Sequence, residues 1–204
     1  VSLAAGSDHT CALLADRKVV CWGHGYYGAL GNRSTSMNSS TPIPVDDLTD
    51  VFAISASGRD TCAVRSNGVG YCWGDNNYGQ LASLAEGRSA APMQISGLGP
   101  VYAISIGFSH GCARLVSGSV SCWGSNGAGQ LGNGTTSRSD VPVDVSGLAD
   151  ADAVGSDGPA DHYCALRSGG LVSCWGGQRL NGIWQQRSSG GANTDVRGRP
   201  YRGR

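Results

Sequence analysis

Thr61-Cys62-Ala63-Val64-Arg65-Ser66-Asn67-Gly68-Val69-Gly70-Tyr71-Cys72-Trp73-Gly74 reads as two short strands joined by a turn. Apolar residues flank Ser66-Asn67-Gly68, a turn signal in which asparagine and glycine tolerate a left-handed backbone. Folding the segment about Asn67 sets Cys62 directly opposite Cys72. Directly opposed residues of an antiparallel pair have Cα atoms about 4.5 to 5.5 Å apart, within disulfide reach.

The arrangement recurs along the chain. Cysteines stand at 11, 21, 62, 72, 112, 122, 164 and 174, four pairs each ten residues apart that repeat at intervals of 51, 50 and 52. Such a period is the mark of stacked supersecondary units. The same arithmetic centres hairpins on Asp16, Ser117 and Gly169, and predicts the pairs Cys11–Cys21, Cys62–Cys72, Cys112–Cys122 and Cys164–Cys174. Free buried thiols compete with this reading. So does a metal site built on the recurrent His-x-Cys of His9, His110 and His162, although Asp60 takes that place in the second unit and structural zinc usually wants cysteines two to four apart. Persisting disulfides imply an oxidising compartment.

Each second cysteine opens Cys-Trp-Gly, and downstream come Tyr27-Gly28-Ala29-Leu30-Gly31, Tyr78-Gly79-Gln80-Leu81 and Gly129-Gln130-Leu131-Gly132. Segments beginning Pro42, Pro92 and Pro142 close three of the units. Every unit is four short apolar stretches punctuated by turn residues, with no stretch of helical period. With 33 glycines in 204 residues and no Gly-X-Y period, collagen and helix bundles are excluded. No apolar run approaches the roughly 20 residues of a membrane span. A chain that starts at Val1 reads as a processed product or a piece of something longer.

A 50-residue unit of four strands with Trp-Gly ending the third describes a propeller blade. The pattern Gly-x-x-His-x-Cys-Ala-Leu, then Cys-Trp-Gly-x-Asn-x-x-Gly-Gln-Leu-Gly, then Pro-x-x-Val, resembles the regulator of chromosome condensation repeat. Its best copy is Cys122-Trp123-Gly124-Ser125-Asn126-Gly127-Ala128-Gly129-Gln130-Leu131-Gly132-Asn133-Gly134. The cysteine pairs make it similar to secreted or surface-exposed bacterial members. The resemblance implies an all-β fold of four-stranded antiparallel blades, four present of an expected seven, since seven units of 51 need about 357 residues. The units are 1–49, 50–99, 100–149 and a partial 150–176. An open array leaves the outer faces of its first and last blades wet.

The pattern stops at Gly176. Residues 1–176 hold 9 Lys+Arg against 14 Asp+Glu, whereas 177–204 hold six Arg against Asp195 alone. This basic tail is a degenerate end, a joined or frameshifted sequence, or an arm for an anionic partner such as nucleic acid.

Catalytic signatures are weak. Gly107-Phe108-Ser109-His110-Gly111 matches the Gly-x-Ser-x-Gly elbow but joins two predicted strands, not a strand and a helix. The histidines at one blade position argue for a loop-fixing hydrogen bond. The tryptophans Trp22, Trp73, Trp123 and Trp175 argue for packing between blades. The expectation is therefore a non-enzymatic, cofactor-free and metal-free module, extracellular or at the cell surface, that binds a protein through the loops that vary between repeats. Candidate contacts are His24, Tyr26, Tyr27, Arg33, Asn76, Tyr78, Glu86, Arg88, Asn126 and Arg138. Two alternatives stay open: a cytoplasmic guanine-nucleotide exchange regulator of a small GTPase, which the resemblance implies, and a structural array within a larger surface protein.

Overall fold

In the computed structural model, residues 1–85, 87–156 and 161–177 are described, together with the backbone of 184–187 and 194–195. Four antiparallel sheets follow one another along the chain, each an up-and-down meander with strands in sequence order. The first blade contains β1 (Ser2–Ala5), β2 (His9–Leu13), β3 (Val19–Gly23) and β4 (Ser39–Pro44). The second contains β5 (Val51–Ser57), β6 (Asp60–Arg65), β7 (Gly70–Asp75) and β8 (Arg88–Gln94). The third contains β9 (Val101–Ile106), β10 (His110–Leu115), β11 (Val120–Gly124) and β12 (Ser139–Asp144). In the fourth, β13 (Ala151–Gly155), β14 (His162–Arg167) and β15 (Leu171–Gly176) are joined by β16 (Trp184–Arg187) and the two-residue β17 (Thr194–Asp195). The protein is thus an all-β array of four consecutive propeller blades. Strand β16 pairs Trp184 with Cys174, the register in which Ile43, Met93 and Val143 pair with the second cysteines of the other blades. The rest of the segment 178–204 lies outside the described residues.

The hairpin register follows the cysteine arithmetic. Cys11 faces Cys21, Cys62 faces Cys72, Cys112 faces Cys122 and Cys164 faces Cys174. All four pairs are disulfides with Cα separations of 4.0 to 4.1 Å, the close kind of antiparallel pair.

The blades are joined face to face by three apolar layers. In the first, Leu13, Val19, Leu30 and Val45 meet Val51, Ala63 and Trp73 of the next blade. In the second, Val64, Leu81 and Ile95 meet Val101, Ile104 and Trp123. In the third, Val120, Leu131 and Val145 meet Ala151, Tyr163 and Trp175. Each of these tryptophans is fully buried. Each donates its indole N–H backwards, Trp73 to the Ala29 carbonyl at 3.0 Å, Trp123 to Gln80 at 2.8 Å and Trp175 to Gln130 at 2.9 Å. Full burial of an indole is sustained by such a partner. The first blade's Gly28-Ala29-Leu30-Gly31 loop turns through glycine where the next blade comes too close for a side chain. Gly28 has φ +85°, and a Cβ there would lie 2.5 Å from the Ala90 Cα.

Faces without a neighbouring blade differ as expected. Leu3 pairs with Ala12 as Ile104 pairs with Ala113, yet Leu3 is 71% exposed and Ile104 8%. Trp22 is only half-buried, and Leu166 in the last blade is 43% exposed.

Candidate functional site

The two ends of the blades are built differently. At one end lie the turns between second and third strands and the connectors between blades. At the other, the short turn between first and second strands meets the long loop between third and fourth strands, residues 24–38, 76–87 and 125–138.

On this loop end, two clefts repeat with the blade. The first, about 370 Å³, is lined by Asp8, His9, His24, Tyr26, Tyr27, Ala29, Gly58 and Arg59. The second, about 240 Å³, is lined by Arg59, Asp60, Asp75, Asn77, Tyr78, Gln80 and Phe108. Registered on the cysteines, the seven residues of the second replace, in turn, Asp8, His9, His24, Tyr26, Tyr27, Ala29 and Gly58 of the first. One structural position at successive blade junctions is thus lined by different chemistry. Arg59 belongs to both, and its guanidinium lies 4.2 Å from the centroid of Tyr27. Arg88 approaches the same ring at 5.8 Å, and His24 stacks on Tyr26 with centroids 5.0 Å apart. The first cleft is therefore lined mainly by aromatic and imidazole rings and the second by two carboxylates, with Arg59 bordering both.

Buried titratable groups sit at the floors. Burial lowers the pKa of His9 to about 4 against a small opposing pull from Asp8, so the imidazole is neutral near pH 7. It shares a 2.8 Å hydrogen bond with the Thr61 hydroxyl of the next blade. The bond ties one blade to the next through strand β6, where the sequence suggested one that fixes a loop. His110 is held at about 4 by burial too, but neither ring nitrogen has a hydrogen-bond partner among the described residues. The expected hydrogen bond is replaced by an edge contact with Tyr163, centroids 5.1 Å apart. Asp60 is 1% exposed, and burial, reinforced by the Asp75 carboxylate, raises its pKa well above the usual carboxylate range.

The predicted contact residues separate into groups. His24, Tyr26 and Tyr27 line the first cleft and Arg88 flanks it; Tyr78 lines the second, and Arg138 donates to the Asn77 carbonyl at 2.8 Å beside it. Arg33 is exposed but engaged by Asp46 and Asp47, lining neither cleft. Asn76 and Asn126 are corrected: both are buried, at 3% and 1% exposure, and brace their own loops. Asn76 accepts from the Leu81 N–H at 3.1 Å and donates to the Ser83 carbonyl at 3.1 Å; Asn126 accepts from Leu131 at 2.9 Å and donates to Ser137 at 2.9 Å. Such a side chain shapes its loop from beneath. Glu86 lies outside the described residues. Sequence reasoning missed Arg59 and Phe108, since nothing in a linear repeat shows that Phe108 of one blade closes a cleft over Asp75 of another.

Among the described residues no three His, Cys, Asp or Glu side chains converge as metal ligands, and no helix is long and apolar enough to cross a membrane.

The blade architecture defines the class, a β-propeller repeat protein, and the family follows from comparison. Models described as "Regulator of chromosome condensation (RCC1) repeat" match residues 1–29 and 101–130, and 67–114 and 117–166. Together these cover more than half of the chain, which belongs to this repeat family. It is 35% identical over 85 residues to human E3 ubiquitin-protein ligase HERC2, covering 40% of this chain and 2% of that protein. It is 33% identical over 81 residues to the mitochondrial RCC1 domain-containing protein RUG3 of Arabidopsis thaliana, covering 39% of this chain and 18% of that protein. In structure it is similar to human WBSCR16, with TM-score 0.75 and 25% identity, covering 86% of this chain and 47% of that one. It is similar also to Prp20p of Saccharomyces cerevisiae, with TM-score 0.70 and 26% identity, covering 86% and 44%. The chain spans less than half of these solved relatives and a small part of the curated ones.

Proposed function

We propose that this chain is the blade array of a non-catalytic protein-binding module that works in an oxidising space, secreted or at the cell surface, and meets its partner with the loop end. The observation that carries the reading is the pair of equivalent clefts at successive junctions, rimmed by side chains that the fold does not use. Tyr26, Tyr78 and Phe108 are 51%, 50% and 48% exposed. Exposed aromatics beside arginine on a rigid scaffold are the composition of contact surfaces that carry binding energy. Four disulfides within blades support the compartment, since a reducing cytosol does not sustain them.

The test compares proteins retained from the source organism's surface and secreted fraction by the wild-type chain and by a His24→Ala, Tyr26→Ala, Tyr78→Ala, Arg88→Ala variant. Retention of a specific partner that the variant loses, with thermal stability unchanged, supports the reading. Equal retention sinks it.

A second reading, regulation of a small GTPase, draws on the likeness to Prp20p of Saccharomyces cerevisiae, a protein with binding properties to Gsp1p and histones. It requires the chain to act in a reducing compartment. Accelerated nucleotide release from a small GTPase by the chain, with eight free thiols in the cellular protein, would favour it over the first. The tail 177–204 is the place for an anionic partner if it binds one, and loss of salt-dependent nucleic-acid binding on its deletion is the measurement.

A further inference from the structure

At each blade junction, the first residue of a second strand meets the second strand of the following blade, and the three junctions fill that place differently. His9 bonds Thr61. His110 packs on Tyr163. At the middle junction the same register brings Asp60 to Gly111, which has no side chain to offer. A Cβ on Gly111 would lie 2.8 Å from the Trp123 indole, so the position is closed to a larger partner.

The carboxylate is therefore left over. Among the described residues, neither Asp60 oxygen has a hydrogen bond of normal geometry, although both are buried. The Asp75 amide and the Gln80 side chain lie close enough to ease its charge without completing such a bond. A buried ionisable group without a partner is strongly disfavoured, so the exception at this junction calls for a reason.

A second difference accompanies it. His9 and His110 lie over Gly6 and Gly107, where an added Cβ would run into the imidazole, 2.8 Å from Cε1 of His110 in the second case. Blade 2 carries Ser57 at this place, so an imidazole at position 60 would collide with it. The second cleft stands over Asp60, with Asp75 beside it and the half-exposed rings of Tyr78 and Phe108 at its mouth. Arg59, the cation of the lining, is drawn towards Tyr27 in the neighbouring cleft.

We infer that the cleft between the second and third blades receives one basic side chain of a protein partner, its ammonium or guanidinium seated against Asp60 and Asp75 and its aliphatic stem on Tyr78 and Phe108. A cationic head supplies donors and no acceptor, which is what two adjacent carboxylates lack. Aromatic rings accept both the stem and the charge. With only two carboxylates the site is short of oxygen ligands for a metal ion. The inference rests on the loop end being the contact face, but it is tested without the partner.

The probe is acetyl-Gly-Lys-Gly-amide, with its arginine and norleucine counterparts, titrated into the isotope-labelled full chain while the amide signals of residues 60, 78 and 108 are followed. The lysine or arginine peptide should give saturable shifts and the norleucine peptide none. Asp60→Asn should weaken binding by about tenfold or more. Asp60→His combined with Ser57→Gly rebuilds the arrangement of blades 1 and 3, so it should keep the rest of the spectrum while abolishing the response. Equal shifts with norleucine, or a response retained in the double variant, overturn the inference. So does tighter binding of calcium chloride, which would make the site a metal site, or of methylammonium chloride, which would make it one for small amines. Any of these leaves the loop end intact as a protein-contact face, whereas failure of partner capture by the loop end would leave peptide binding in place.

Discussion

The turn end of the blades is laced together, while the loop end keeps its exposed groups largely unspent. At the turn end, Arg17 reaches Asp50 at 2.9 Å and Ser66 at 2.8 Å, Arg65 donates to the Asp47 carbonyl at 2.9 Å, and Arg167 meets Asp150 at 2.7 Å. The Ser66 hydrogen bond, then Arg17, holds the Asp50 carboxyl below its usual range. At the loop end, Arg138 reaches Asp140 and the Asn77 carbonyl, but the rings of Tyr26, Tyr78 and Phe108 stand half-exposed at the surface. One end fixes the angle between blades; the other is free to vary by repeat. The contrast teaches where stability and binding should separate under mutation.

The largest effect should come from the layers beneath both ends. Trp123→Ala should cost about 3 to 5 kcal/mol in denaturant unfolding. Trp22→Ala, at the half-buried equivalent, should cost well under half of that. Comparable losses would contradict the role assigned to the layers.

Next comes mild acid, acting through the buried groups of the loop end. The folded pKa of His9 and His110 is about 4, below the ordinary 6.5, so the unfolded chain binds more protons between those values. Their contribution is complete above pH 6.5 and is lost as pH falls towards 4, by up to about 3 kcal/mol for each histidine. Asp60, with its raised pKa, acts in the opposite direction, losing stability as pH rises above the ordinary carboxylate value. The readout is therefore a difference: unfolding of His110→Asn should fall less steeply between pH 6.5 and 4 than that of the wild type. Parallel curves would remove His110 from the account.

A smaller effect is expected from the turn-end ion pairs. Arg167→Ala should cost no more than about 1 kcal/mol and leave every binding property of the loop end unchanged. A loss of binding there would show that the two ends are not separable.

Much of this was legible in the sequence. Ten-residue cysteine spacing specified the hairpin register, because opposed positions in a hairpin are fixed by counting from the turn. The recurrent Trp73, Trp123 and Trp175 marked the buried layers. The clefts were harder to see, since each joins residues from two blades that lie far apart in the repeat register. Asn76 and Asn126 looked like loop-surface residues because variable loops are usually exposed, yet a buried amide can satisfy several backbone groups at once. Strand β16 escaped notice because ladder pairing uses the backbone, and Trp184–Arg187 keeps none of the repeat's side chains. One signal was available: Asp60, the break in an otherwise regular column of histidines, sits at the cleft whose chemistry differs most.

The most direct test of the account sets the ends against each other in one capture experiment. The loop-end variant of His24, Tyr26, Tyr78 and Arg88 is compared with a turn-end alanine variant of Arg17, Lys18, Asn67 and Ser117, with affinity for the captured partner measured for both. The account predicts a loss of about tenfold or more for the loop-end variant, with stability within about 0.5 kcal/mol of wild type, and no loss of affinity for the turn-end variant. Unchanged affinity in the loop-end variant, or an equal loss in both, would contradict it.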